Sequence, residues 1–273
     1  MDPRKPEEYG QQSINAEIKS LEESIHALRC RNAPEPISSL PTEIIAAIFL
    51  LVHVPGWTDI RLTHVCRRWR EIALDHPLFW SHLDFTTVSP AGATEILARA
   101  RMAPLYLEAK VPGYLWGEAR FVAFQKELQN HLSHIYHLRI SAVPHYLNST
   151  LKGLISPAPT LEHLSLSAER YRSTRLLQAE VPETLFDTKS PRLSSLELLN
   201  CNISWKSPLL RRLKILIIKL SIRAMPSLTN WLDALEEMPQ LKKLVLHSAS
   251  PSDLRFPFRV EIGRAQSELQ SPC

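Results

Sequence analysis

The chain has 273 residues, 44% of them hydrophobic and 22% charged, which is ordinary globular composition with room for one large or two modest domains. Its formal charge of +4 is too mild and too dispersed for the concentrated basic stripe that nucleic-acid binding usually shows. Seven glycines against 21 prolines, with no G-x-G-x-x-G and no Walker loop, argue against a glycine-rich phosphate cradle.

Cys30, Cys66, Cys201 and Cys273 have no close pair, so neither a zinc cage nor a disulfide framework is suggested and the thiols are expected to be free in a reducing compartment. The opening "MDPRKPEEYGQQ" lacks the apolar core of a secretory signal, and no stretch is long enough for a bilayer. A soluble protein of the cytoplasm or nucleus is expected, with no membrane partner.

Ile14, Ile18, Leu21, Ile25 and Leu28 are spaced four, three, four, three, the seam of a heptad pattern, and they predict an amphipathic helix within residues 1–36. So short a helix is marginal alone and must pack on something. Docking onto the rest of the chain is the plainer reading; a homodimer through a short coiled coil is the other.

"NAPEPISS" breaks that helix, and a second begins at Pro41, with Glu43 near the positive end of its dipole. From Ile44 to Val52 it is apolar all round: Ile44, Ile48 and Leu51 share one face, and Ile45, Phe49 and Val52 the next. A helix of that kind has to be covered on every side. After "VPG", a stripe of Ile60, Val65, Trp69, Ile72 and Ala73 predicts an amphipathic helix whose other side carries arginines, and Pro77 opens a last apolar segment, "PLFWSHLDF". Two neighbouring helices cover about half of the all-apolar helix, so the remainder calls for the rest of the chain or a second protein.

"LPTEIIAAIF" followed by "DIRLTHVCRRWREIALDHPLFW" resembles the F-box, whose pattern runs Leu-Pro, an acidic residue, an apolar helix, a Val-Cys-x-x-Trp-Arg core and a closing Pro-Leu-Trp. The resemblance covers residues 37–85 and implies a three-helix domain that docks on a Skp-family adaptor and, through it, on a cullin-RING ligase core. Leu40, Pro41, Glu43, Ile44, Ile48, Val65, Cys66 and Trp69 are the positions it assigns to that partner. The heptad-like helix upstream is similar to one that often precedes the F-box in mushroom-forming fungi.

Downstream, the spacing L-x-x-L-x-L recurs at Leu161, Leu164, Leu166; at Leu193, Leu196, Leu198; at Leu210, Leu213, Ile215; and at Leu241, Leu244, Leu246. Ile135, Leu138 and Ile140 fit as well, and "PLYLEA" near Leu105 is a degenerate first copy. Between copies, Phe121, Phe124, Leu128 and Leu132, then Leu147, Leu151 and Leu154, then Leu228, Trp231, Leu232 and Leu235 recur at helical spacing. The pattern over residues 86–250 resembles a leucine-rich repeat, with central leucines 26, 32, 17 and 31 residues apart. The expected architecture is therefore α plus α/β: an N-terminal helix, a three-helix F-box, a short irregular solenoid of parallel strands with outer helices, and a mixed tail over 251–273.

Three features invite a chemical reading. His131, His134 and His137 lie three apart, but no Cys or carboxylate joins them at ligand spacing, so they are expected to be solvated at a helix end and to hold no metal. Arg61, Arg67, Arg68 and Arg70 around Trp69 admit a recognition helix of the helix-turn-helix kind, set against arginines that merely solvate the helix. "LRRLKILIIKL", Leu210 to Leu220, reads as a buried strand.

No catalytic motif or cofactor site stands out. A non-catalytic adaptor with an unknown protein substrate is expected. Its substrate would lie on the strand face at Glu162, His163, Ser165, Glu197, Lys242 and Lys243. An F-box scaffold without ligase activity and a nucleic-acid-binding regulator are the alternatives.

Overall fold

The computed structural model describes residues 14–25, 28, 36–52, 60–111, 116–169, 178–220, 233–248 and 259–263. The chain divides into two compact units, 1–48 and 49–273.

The first unit holds helix α1 (14–25) and the start of helix α2 (Thr42–Val52). Every described side chain of α1 is exposed, including the seam residues Ile14, Ile18, Leu21 and Ile25, so no described part of the chain covers that seam. At the head of α2 the Pro41 carbonyl accepts the amides of Ile44 and Ile45, and Ile45 is completely buried.

In the second unit, a 3-10 turn (Ile60–His64) leads to helix α3 (Arg67–Asp75) and a further turn (Pro77–Trp80). Cys66 caps α3, its sulfur accepting the Trp69 amide at 3.5 Å. Phe49 is buried against Trp69 and Phe79, with ring centroids 5.0 and 6.1 Å away. Trp80 is buried too: its indole N–H donates to the Ala73 carbonyl at 2.7 Å, and the Arg99 guanidinium lies 4.6 Å over its ring.

No linker follows. Residues after Trp80 form strand β1 (His82–Asp84), and the sheet continues through β2 (Leu105–Val111), β3 (Ile135–Ala142) and β4 (His163–Ala168). Strand β5 (Ala179–Val181) pairs aside with β7 (Cys201–Ile203), while β6 (Ser195–Leu199), β8 (Ile215–Leu220), β9 (Lys243–Ser248) and β10 (Arg259–Gly263) complete the sheet. The order is β1-β2-β3-β4-β6-β8-β9-β10, so strands are added along the sheet in chain order. All these neighbours are parallel except β9 and β10, and β10 places a paired strand in what the sequence suggests is a mixed tail.

Parallel neighbours need crossovers, and the first three are helices α4 (Pro90–Ala100), α5 (Glu118–His131) and α6 (Pro144–Gly153). α4 and α6 both start on proline, whose fixed φ suits the first helical position, and Ser89 caps α4 by accepting the Gly92 amide. Beyond β4, where the spacing marks no helix before Leu228, the described crossovers are built differently. They consist of β5, β7 and 3-10 turns at Leu185–Thr188 and Pro208–Leu210, because Pro182, Pro191 and Pro208 interrupt short connections. The expected helix around Leu228, Trp231 and Leu232 lies outside the described residues, and 233–236 form one helical turn.

One leucine from each strand makes a continuous ladder through the core: Leu83, Leu107, Leu138, Leu164, Leu196, Leu216 and Leu244 are register partners in turn, and all are buried. This corrects the frame of one repeat. The in-register triplet is Leu213, Leu216 and Ile218, with Ile215 turned outward and half-exposed, whereas Leu210 sits in a turn ahead of the strand. The spacing from Leu196 to Leu216 becomes 20 residues and from Leu216 to Leu244 28, closer to a common period than 17 and 31. Burying each leucine contributes about 1.5–3 kcal/mol, which favours this register over any one-residue slip.

Candidate functional site

Two surfaces stand out. On α2, the Ile44 side chain is 48% exposed and Leu51 86%, with Val52 also exposed. Of the positions assigned to a partner, Pro41, Glu43 and Ile44 are exposed at the head of α2, and Leu40 ahead of it and Ile48 in its middle are half-buried. At the start of α3, Val65 and Cys66 are exposed and Trp69 is half-buried on Phe49. Cys66 and Trp69 thus have structural duties as well as reachable surface. Leu51 and Val52, beyond those positions, are exposed at the end of the same unbroken apolar run. Of the arginines, Arg67 pairs with Glu71 at 2.8 Å and Arg70 donates to the Thr63 carbonyl at 2.9 Å.

The second surface is the outward side of the sheet. Period-two alternation sends every other residue there, and the register stacks these residues into rows. One row runs His82, Tyr106, His137, His163, Ser195, Ile215, Lys243; the next runs Asp84, Glu108, Arg139, Ser165, Glu197, Ile217, Val245. The expected residues His163, Ser165, Glu197 and Lys243 therefore share one face. Glu162 and Lys242 sit just ahead of β4 and β9 and are exposed there.

Charges on this face are paired across strands: Lys219 with Glu197 at 2.9 Å, Arg139 with Glu108 at 3.6 Å, Lys110 with Glu169 at 3.5 Å. The Lys219 hydrogen bond holds the Glu197 carboxyl below the usual carboxylate range, against the effect of burial. Burial pushes the Tyr106 phenol up to about 12, helped by its 2.7 Å hydrogen bond to Glu108. The His137 imidazole is pushed down to about 4, chiefly by burial and then by His163, Arg139 and His82. Tyr106 is therefore a phenol and His137 neutral at physiological pH.

Of the histidines of "HLSHIYH", expected to be solvated, His134 is buried and His131 and His137 are half-exposed. His134 is 5% exposed and 3.2 Å from His131, and burial lowers the pKa of both. His134 lies past the end of α5 in a 3-10 turn (Leu132–His134) that faces inward, and His137 belongs to β3. Among the described residues no three His, Cys, Asp or Glu side chains are disposed to hold a metal ion, and no helix is long and apolar enough to cross a membrane.

Among the described residues, then, α2 leaves Ile44, Leu51 and Val52 open, and the sheet later in the chain carries polar rows on one face. Residues 37–86 match the F-box-like family. That span ends two residues beyond β1, so the matched segment supplies the first strand of the sheet. No curated protein and no solved structure matches the chain.

Proposed function

We propose that the protein is a non-catalytic substrate-recognition adaptor of a Skp/cullin/F-box ubiquitin ligase. The F-box-like match over residues 37–86 carries this reading, because such domains generally bind Skp-type adaptors of cullin-RING ligases. The apolar side chains left open on α2 support it as anchors of the kind that dominate interfaces.

In this reading the chain comprises an N-terminal helix and linker (1–36), an F-box (37–85), a leucine-rich-repeat-like region (86–250) and a tail (251–273), and works in the cytoplasm or nucleus. The repeat region is a short irregular solenoid whose polar strand face holds a protein substrate. Its support is the chain-order growth of the sheet and the seven-leucine ladder. Catalysis is the partners' own; the adaptor raises the effective concentration of substrate lysines near the conjugate. Direct continuity from the Pro77–Trp80 turn into β1 supports a rigid join between the end of the F-box-like segment and the sheet. The seam of α1, isoleucine at a and leucine at d, suits a two-stranded partner, and a second copy of the helix fills that place.

Co-expression with a Skp-family subunit, followed by addition of a cullin-RING core, tests the reading. A complex that reaches the cullin only through the Skp-family subunit is expected. A chain that stays alone overturns it, and a complex in which no bound protein accumulates when the proteasome is blocked favours the scaffold alternative.

A further inference from the structure

The polar face of the sheet is not uniform. At its β1–β4 end the outward row is made of rings: His82 stacks on Tyr106 with centroids 5.1 Å apart and planes 22° from parallel, and Tyr106 stacks on His137 at 4.0 Å and 13°. His163 continues the row 5.6 Å from His137. A fifth ring comes from an irregularity. Leu105 pairs with Ile135 but Tyr106 pairs with His137, so Tyr136 is an extra residue bulged out of β3 between buried Ile135 and half-exposed His137, 6.2 Å from the Tyr106 ring. Bulges of this sort re-aim a side chain, and here one adds an aromatic edge to the open face. All five rings are half-exposed.

The charges around this shelf are predominantly negative. Asp84 and Glu108 flank it in the next row, and Glu162 acts electrostatically on the Tyr136 phenol. The cation of that neighbouring row, Arg139, is already set against Glu108. Among the described residues the exposed Glu162 carboxylate has no ion-pair partner. Lys243 stands four strands away from β3, roughly 19 Å at 4.8 Å per strand and well beyond the Debye length at physiological salt. His82 and His137 cover the two faces of Tyr106, whereas Tyr136, tilted 61° to Tyr106 and 67° to His137, is stacked on neither; a guanidinium or ammonium over its negative ring face is stabilised further by the Glu162 carboxylate. An acidic segment would meet the Asp84 and Glu162 carboxylates instead.

We propose that this five-ring shelf is the subsite for a basic side chain, arginine before lysine, of an extended protein segment laid across the polar face of the sheet. Arginine is favoured because its planar, weakly hydrated guanidinium stacks on rings while donating to Glu162. The proposal rests on the adaptor reading for the identity of the segment as substrate, not for its chemistry.

The test uses the full chain and a fluorescein-labelled Gly-Ser dodecapeptide with a central Arg-Gly-Arg, compared with peptides carrying citrulline or glutamate at the same places, read by anisotropy. The arginine peptide is expected to bind about tenfold tighter than the citrulline peptide, with the glutamate peptide weakest. Tyr136→Ala and Glu162→Gln should each weaken arginine binding about three- to fivefold. Lys152→Ala, on the exposed side of α6, should leave it unchanged. Equal affinity for arginine and citrulline peptides, tighter binding of the glutamate peptide, no binding by any of them, or full affinity in folded Tyr136→Ala would overturn the shelf. Skp-family binding is measured on the same preparation. Lost discrimination with that binding intact sinks the shelf alone, and retained discrimination without it sinks only the adaptor reading.

Discussion

Leu216 and Ile217 are neighbours in β8 with opposite fates, which makes them a direct test of the ladder. Leu216 is completely buried between Leu196 and Leu244, whereas Ile217 points to the polar face and is half-exposed. Leu216→Ala removes three carbons from a site closed on both sides by ladder partners, and buried leucine truncations cost about 3–5 kcal/mol because a cavity remains. Ile217→Ala surrenders only about half of an isoleucine's burial and leaves no cavity, about 1 kcal/mol. Urea unfolding followed by circular dichroism reads the difference as a midpoint shift. With a slope of roughly 3 kcal/mol per molar, Leu216→Ala should lower the midpoint by more than 1 M and Ile217→Ala by about 0.3 M. Equal shifts, or a larger one for Ile217→Ala, would place the strand one residue out of the register given above and would refute the core.

Further outcomes are expected elsewhere. His137 is neutral in the fold down to about pH 4 but protonates near 6.5 when unfolded, so its contribution is complete above pH 6.5 and is lost as the pH falls from 6.5 through 4. The gap corresponds to at most about 3 kcal/mol, reduced by solvent screening at a half-exposed ring to about 1–2 kcal/mol. Thermal unfolding should weaken over that window and weaken less in His137→Phe; identical slopes would refute the assignment. Cys201 is buried and its thiol is pushed up to about 12, while Cys66 is exposed. Iodoacetamide at pH 8 should therefore modify Cys66 and spare Cys201 in the native protein, as read by peptide mass spectrometry, and modification of Cys201 first would contradict its burial. Sedimentation of the full chain should show a concentration-dependent dimer that Ile18→Asp with Ile25→Asp abolishes, and an unchanged monomer in both would remove the second copy from α1.

The strand leucines were legible because their signal is hydrophobic and local: Leu138, Leu164, Leu196 and Leu244 are buried on paired strands at the positions that the spacing marks. One repeat slipped by three residues because "LRRLKI" and "LKILII" overlap and both satisfy the same spacing, and only pairing with Leu196 chooses between them. The F-box helices were readable from rare residues in a fixed order, but the fate of Phe49 was not, since its burial depends on rings of Trp69 and Phe79 far along the chain. Likewise the outward row was half visible: His163 and Glu197 follow from the repeat frame, whereas Tyr136 depends on a bulge that spacing alone does not reveal. His134 departs from the expected solvation because the chain leaves its helix at His131 and the following 3-10 turn carries the ring inward.

The central claim is docking through the F-box-like segment, and titration calorimetry of the full chain against a purified Skp-family subunit tests it most directly. The parent is expected to bind in the micromolar range or tighter. Leu51→Asp, at a side chain 86% exposed, and the pair Leu40→Ala with Pro41→Ala should each weaken binding at least tenfold while leaving the circular dichroism unchanged. A parent that does not bind, or variants that bind as well as the parent, would contradict the account.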